Sequence, residues 1–416
     1  MRRLLTALFF SSALLLSSVL SGCSNFRNLS NEIEAIDSIT NQYMVTLSQP
    51  ASGSAVVIEQ VKDINKSEVD GYDGIIDSDS IHLHVSNNVH YLLIFEDKNQ
   101  DLTLQANEAF SVVKLRSYKD KSTIEVSLSV NENEAPSAFV DRSLSSLLKI
   151  ELDLVDIGTV ANLTDPPFEK GNAKLGMWQP LTFLVEGNAG LYFLSEYDPA
   201  KIPIVFVHGI NATALDFSPL IGKIDQSKYQ IWVFNYPSGL SLSLNSRGLN
   251  NLLHTVVTEY KIQQLHVVAH SMGGLIVTNS IRQCRIGQLC DFVSSVTTIS
   301  SPFGGVESAK QGMEYSPVVM PAWVDLNPDG KFIADLFIDS GEIHIPHFLA
   351  FGYNSGELFN TSSNDGVINL SSQLSRPAQL SADQIRGYNE NHLSILNNDD
   401  LFEDMSDFWL RAEQEK

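Results

Sequence analysis

Leu265-His266-Val267-Val268-Ala269-His270-Ser271-Met272-Gly273-Gly274-Leu275-Ile276-Val277-Thr278 is the stretch on which the fold turns. Leu265 to Ala269 is a short run with two valines, apolar apart from His266, as expected of a strand buried on both faces. Leu275 to Ile281 reads as a helix, and no loop separates the two. A chain that passes from strand to helix in so few residues needs small side chains at the bend, which Ala269, Gly273 and Gly274 supply. The bend leaves the Ser271 hydroxyl exposed at the start of a helix, where the backbone dipole favours negative charge.

Working outward, the same kind of strand recurs at Ile204 to Val207, Ile231 to Phe234, Val296 to Ile299 and Phe348 to Phe351, with helical stretches between. That alternation predicts a mostly parallel sheet covered by helices on both faces, with chemistry just beyond the strand C-termini.

The segment Ala269-His270-Ser271-Met272-Gly273-Gly274 is a nucleophile elbow that resembles the lipase and esterase branch of the α/β-hydrolases, many of which carry alanine where others have the first glycine. The resemblance covers residues 170 to 416, and the chain is most similar to exported hydrolases akin to the GPI inositol-deacylase-like group. It implies an oxyanion hole after the strand Pro203-Ile204-Val205-Phe206-Val207-His208-Gly209, built from the backbone N–H groups of Ile210 and Met272. His208 and His270 then shape loops rather than catalyse. The family order is serine, acid, histidine. His392, the only histidine after His347, is expected to be the base, and Asp365 in Asn364-Asp365-Gly366-Val367 resembles the family's acid. Asp325 in Trp323-Val324-Asp325-Leu326 is the rival acid, placed second. Ser300-Ser301-Pro302-Phe303-Gly304-Gly305 resembles the Pro-x-Gly-Gly turn that supports the site floor. The apolar insertion carrying Met313, Tyr315, Val318, Val319, Met320 and Trp323 is expected to cap an apolar pocket, with core packing as its alternative.

The reaction that the resemblance implies is cleavage of an acyl ester or lipid-like substrate through an acyl-enzyme, with no cofactor and no metal. Acyl transfer to an alcohol by the same triad, and a non-catalytic hydrolase-fold binding lipoprotein, are the other readings that the fold allows.

The N-terminal half has a different grammar. Short β-prone runs at Tyr43 to Leu47, Ala55 to Ile58, Ile81 to Val85, Tyr91 to Phe95, Ser111 to Leu115 and Ile124 to Val130 are separated by turn residues, which predicts a smaller all-β antiparallel sandwich over residues 41–165. Ser143 to Ile157 has helix-compatible spacing, and Asp165-Pro166-Pro167 breaks it, which places a domain boundary before residue 170. Leu181 to Val185 and Leu191 to Leu194, flanking Gly187-Asn188-Ala189-Gly190, read as a hairpin. The loop Asp97 to Glu108 places oxygen groups at the spacing of a calcium-binding EF-hand loop, but Leu102 stands where that turn needs glycine and a strand precedes it, so a polar hairpin loop is the preferred reading.

Composition bounds the partners. With 49 acidic against 27 basic residues the formal charge is −22, and no basic stripe relieves it, so nucleic acid is excluded as a partner. Met1-Arg2-Arg3, the apolar run Leu4 to Leu16 and Leu20-Ser21-Gly22-Cys23 form an export signal over residues 1–22. The last four residues resemble the lipobox of bacterial lipoproteins, which implies an acylated Cys23, a lipidated polar tether over residues 23–40 and membrane attachment through lipid. Ser24 after that cysteine implies, by analogy, sorting to the outer membrane. After export, Cys284 and Cys290 are expected to close a small disulfide loop, two free thiols being the alternative.

Overall fold

The computed structural model describes residues 24–48, 55–75, 79–99, 103–131, 135–142, 155–285, 290–337, 344–354 and 363–415. The export signal and Cys23 lie outside these residues.

Two small sheets come first. In one, β1 (Thr40–Leu47) pairs antiparallel with β4 (Ser80–Ser86) and parallel with β7 (Ser122–Val126). In the other, β2 (Ala55–Asp63), β3 (Glu68–Ile75), β5 (Tyr91–Asp97) and β6 (Phe110–Lys114) run antiparallel in the order β3-β2-β5-β6. The period of two along β1, β2 and β5 turns Val45, Ile58 and Ile94 into one shared core with Leu83 and Ile124, so the two sheets pack face to face. The antiparallel expectation thus holds except at the β1–β7 pair. β3 escaped the sequence reading because Asp70, Gly71, Asp73 and Gly74 dilute its apolar content.

The main sheet has eight strands: β8 (Asp156–Val160), β9 (Gly190–Phe193), β10 (Ile202–Val207), β11 (Tyr229–Asn235), β12 (Leu265–His270), β13 (Val293–Ile299), β14 (His347–Gly352) and β15 (Gln384–Tyr388). Their order is β15-β14-β13-β12-β10-β11-β9-β8, and only the β9–β11 pair is antiparallel. Alternate residues feed two cores. Val205 and Val207 of β10 face the layer of helices Leu242–Tyr260 and Met272–Arg285, while Ile204 and Phe206 face the layer of helix Asp399–Gln414. Burial on both faces is why these strands lack alternation in the sequence.

Three expectations are corrected or moved. Residues 24–39 form a helix, not a tether. Phe26, Leu29, Ile33 and Ile36 recur at helical spacing, and Leu29 is fully buried in the core beneath the main sheet, worth about 1.5–3 kcal/mol. The proposed hairpin is a helix, Pro180–Val185, followed by β9. Pro180 starts that helix without wasting a backbone donor, and the Glu32 carboxylate, supplied from the N-terminal helix, accepts the N–H groups of Leu181 (2.5 Å) and Thr182 (3.1 Å). Most of the helix read over Ser143 to Ile157 lies outside the described residues, and Ile157 itself belongs to strand β8.

Cys284 and Cys290 form a disulfide, with Cα atoms 5.6 Å apart, at the end of the helix that begins at Met272. The Asp97 to Glu108 loop includes residues outside the description. Within the described part, Glu108 accepts the backbone N–H groups of Lys98 (2.8 Å) and Gln105 (3.0 Å), which closes the loop on itself. Among the described residues no group of three or more His, Cys, Asp or Glu side chains is placed to hold a metal ion.

Candidate active site

Ser271 follows the last residue of β12 with φ of +55°, in the left-handed region that a residue with a side chain adopts only under constraint. Its N–H donates to the Ile299 carbonyl on β13 (2.8 Å), so the bend is held by the neighbouring strand. The glycines around it are required by contact. A Cβ on Gly273 would sit 2.3 Å from the Val207 carbonyl oxygen, and one on Gly274 would sit 2.0 Å from the Ser301 Oγ. Gly209, in the neighbouring loop, would bring a Cβ within 2.9 Å of the Ser271 Cβ.

Asp365 and His392 meet across 27 residues of sequence: Asp365 Oδ2 lies 2.7 Å from His392 Nδ1. The other carboxylate oxygen, Oδ1, accepts the backbone N–H groups of Val367 (3.0 Å) and Ile368 (2.7 Å), and the Asp365 carbonyl accepts the N–H of His392 (2.8 Å). Asp365 is fully buried. Burial alone would raise its pKa, but the hydrogen bond and charge of His392 and the two backbone donors outweigh it, so the carboxyl sits below its ordinary value and stays ionised. An ionised Oδ2 can only accept, which places a proton on Nδ1 and leaves Nε2 free to take another.

The loop that carries His392 is tied down on all sides. Asn391 Oδ1 accepts the N–H groups of Leu393 and Ser394, and Glu390 accepts the Ser394 hydroxyl and the Asn398 amide. His270 Nε2 donates to the His392 carbonyl (2.8 Å), and burial holds the His270 pKa down to about 3, so this ring is a neutral strut. His208 is likewise neutral, held by burial to about 4. Its Nδ1 donates to the Gly209 carbonyl (2.8 Å), and its ring stacks on Tyr236, whose hydroxyl donates to the His208 carbonyl (2.5 Å). Both histidines therefore brace loops.

Ser271 and His392 open onto one cavity of about 780 Å³, which Gly209, Ile210 and Met272 also line. Among the described residues no acceptor takes the backbone N–H of Ile210 or of Met272. Asp325 is committed elsewhere: its Oδ2 accepts the N–H of Leu242 (2.6 Å) and caps the helix Leu242–Tyr260, while burial raises its pKa to about 6.

The walls of the cavity come from two directions. From the insertion after β13, Val306, Ala309, Trp323 and Leu326 face it, as does Pro302. Of the six apolar residues singled out in that insertion only Trp323 lines the cavity; Met320 is buried in the core and Tyr315 is 80% exposed. A second part of the wall is the helix Lys170–Trp178, which the sequence reading missed. It presents Ala173, Met177 and Trp178. Trp178 packs edge-on against Trp323 (6.3 Å between ring centroids) and against Phe26 of the N-terminal helix (5.2 Å). The only signal for this wall was the aromatic and methionine content just after the predicted boundary.

Residues 202–349 match the family model of the alpha/beta hydrolase fold, and the mostly parallel eight-stranded sheet with helices on both faces has that fold. The mature form of the lipase BlEst2 from Bacillus licheniformis is similar in structure, with a TM-score of 0.41 and 16% identity over 52% of this chain and 94% of that one. A carboxylesterase structure from Nitrososphaera gargenis aligns with a TM-score of 0.38 and 12% identity over 54% of this chain and 96% of its own. The phospholipase PlaB from Legionella pneumophila aligns with a TM-score of 0.36 and 16% identity over 42% of this chain and 44% of its own. No curated protein matches the chain.

Proposed function

We propose that this protein is a serine hydrolase that cleaves carboxylic esters, lipase- or esterase-like, with Ser271 as nucleophile, His392 as base and Asp365 as acid. The observation that carries the reading is the 2.7 Å pair between a buried Asp365 and His392, opening onto the cavity in which Ser271 is held at a left-handed backbone angle.

The chemistry follows from the protonation states. His392 Nε2 accepts the Ser271 proton as Oγ attacks the ester carbonyl carbon, and the carbonyl oxygen becomes an oxyanion. The N–H groups of Ile210 and Met272 stabilise that oxygen, each worth about 10²–10³ in rate for such donors. His392 then gives the proton to the leaving alkoxide, which departs as an alcohol and leaves an acyl-serine. Water, deprotonated by the same Nε2, attacks the acyl carbon, and the acid is released as Ser271 regains its proton. Asp365 stays ionised throughout and holds the ring in the productive tautomer.

The apolar wall formed by Met177, Trp178, Trp323 and Leu326 suits the acyl chain. The reading includes an exported bacterial lipoprotein, anchored through lipid on Cys23 and sorted to the outer membrane. The test is turnover of p-nitrophenyl esters of rising acyl length by protein beginning after Cys23. Turnover that is lost in Ser271→Ala and in His392→Ala, with unchanged circular dichroism, supports the reading. A folded wild type that turns over none of the series overturns it.

A further inference from the structure

The cavity that holds Ser271 is apolar along most of its wall, yet charged residues stand in it. The Lys, Arg, Asp and Glu side chains lining it are Lys170, Lys174 and Asp216. Lys170 and Lys174 are spaced i, i+4 on the helix Lys170–Trp178, so they share one face of it. Both are exposed, and among the described residues neither has a carboxylate within ion-pair distance. Asp216 lies close enough to Lys170 to feel its charge without forming a pair. In a chain of formal charge −22, a cavity lined by two lysines and one aspartate departs from the sign of the whole.

The same helix supplies the tail wall through Ala173, Met177 and Trp178. One short element therefore offers ammonium groups at one end and an aromatic, apolar surface at the other, beside the same hydroxyl. We propose that the substrate is an anionic amphiphile, an acyl ester whose alcohol part carries a phosphate or carboxylate, read by Lys170 and Lys174 while the acyl chain lies against Trp178 and Trp323. The proposal rests on the esterase reading of the site and adds its substrate class. Lysine suits the task as a mobile point charge that needs no bidentate geometry.

The experiment compares two soluble esters of equal acyl length, 1-hexanoyl-glycerol and 1-hexanoyl-glycerol 3-phosphate, with 1-hexanoyl-glycerol 3-hemisuccinate as the carboxylate arm. Wild type is expected to favour the anionic esters in kcat/KM by about five- to tenfold at low salt, the sum of two partly solvated charge pairs. The preference should shrink as salt rises, because solvent-exposed charges are screened over about 10 Å at 0.1 M. Lys170→Gln with Lys174→Gln should collapse the anionic-to-neutral ratio to about one, Lys174→Glu should invert it, and Lys174→Arg should keep it. The ratio is the readout, so a general loss of stability does not imitate the result. A wild type that cleaves the neutral ester equally well or better, or a double Gln variant that keeps the wild-type ratio, overturns the substrate class while leaving the esterase reading intact. If wild type cleaves neither these esters nor the p-nitrophenyl series, the esterase reading falls and the substrate class with it.

Discussion

Replacing Asp365 by asparagine changes no volume and removes one charge, and the structure says what the amide must do. Oδ1 of Asp365 accepts two backbone N–H groups, from Val367 and Ile368, and Oδ2 faces His392 Nδ1. An asparagine that keeps its oxygen on the two N–H groups turns its NH₂ toward Nδ1. The ring must then accept there and carry its proton on Nε2, where it can donate to Ser271 but take nothing from it. The flipped amide preserves the productive tautomer but sets NH₂ against the buried N–H of Ile368 and the part-buried N–H of Val367, at about 1–3 kcal/mol for each group left unpaired. The competent orientation is thus disfavoured by about 2–6 kcal/mol, a fraction of roughly 10⁻² to 10⁻⁴. The expected outcome is a loss in kcat of about 10²–10⁴ for a short p-nitrophenyl ester, with KM little changed and circular dichroism unaltered. Asp325→Asn is the control. It weakens a helix cap by about 1 kcal/mol and should lower Tm by a few degrees while kcat stays within a factor of two or three. Retention of most activity in Asp365→Asn, or its loss in Asp325→Asn at unchanged fold, would refute the assignment.

Gly273→Ala should destabilise the elbow, since its Cβ has only 2.3 Å to the Val207 carbonyl oxygen; a Tm lower by roughly 5–10 °C is expected, whereas Gly171→Ala, which meets nothing within 4 Å, should not lower it. Glu32→Gln and Phe26→Ala loosen the brace behind Trp178, so kcat/KM for long acyl chains should fall about three- to tenfold more than for acetate esters, read from a chain-length series. Glu413, although burial opposes its charge, accepts bonds from His266, Lys228 and Tyr229, which hold its pKa down to about 2. A depressed carboxylate stabilises the fold above its unfolded pKa and loses that contribution as pH falls through the folded value. Urea titrations should therefore show a wild-type advantage over Glu413→Gln at pH 7 that closes between about pH 4.3 and pH 2; an advantage independent of pH would contradict the assignment.

The strands of the main sheet were legible because burial on both faces leaves a run of mostly apolar residues, unbroken in Ile204 to Val207 and interrupted only by His266 in Leu265 to Ala269. β15 was not, because Gln384 and Arg386 lie at the sheet edge, where one face meets water. Leu181 to Val185 failed for another reason. Five residues of mixed propensity fit strand or helix alike, and what decides is a carboxylate 149 residues earlier in the chain, which local pattern cannot reveal. The helix over residues 24–39 was readable in principle from its apolar stripe, but its polar composition masked it. At the site, Ser271 was marked by its own turn, whereas Asp365 and His392 were placed through the family order; their mutual contact is a property of folded loops. Lys170, Met177 and Trp178 carried no motif, since a cavity wall needs only shape and polarity.

Ser271 as nucleophile is tested by the site at which a fluorophosphonate modifies the protein, read by mass spectrometry of the digested wild type. A single phosphonylated peptide with the adduct on Ser271 is expected, formed slowly or not at all in His392→Ala. An adduct on another residue, or wild-type protein that stays unmodified while folded, would contradict it.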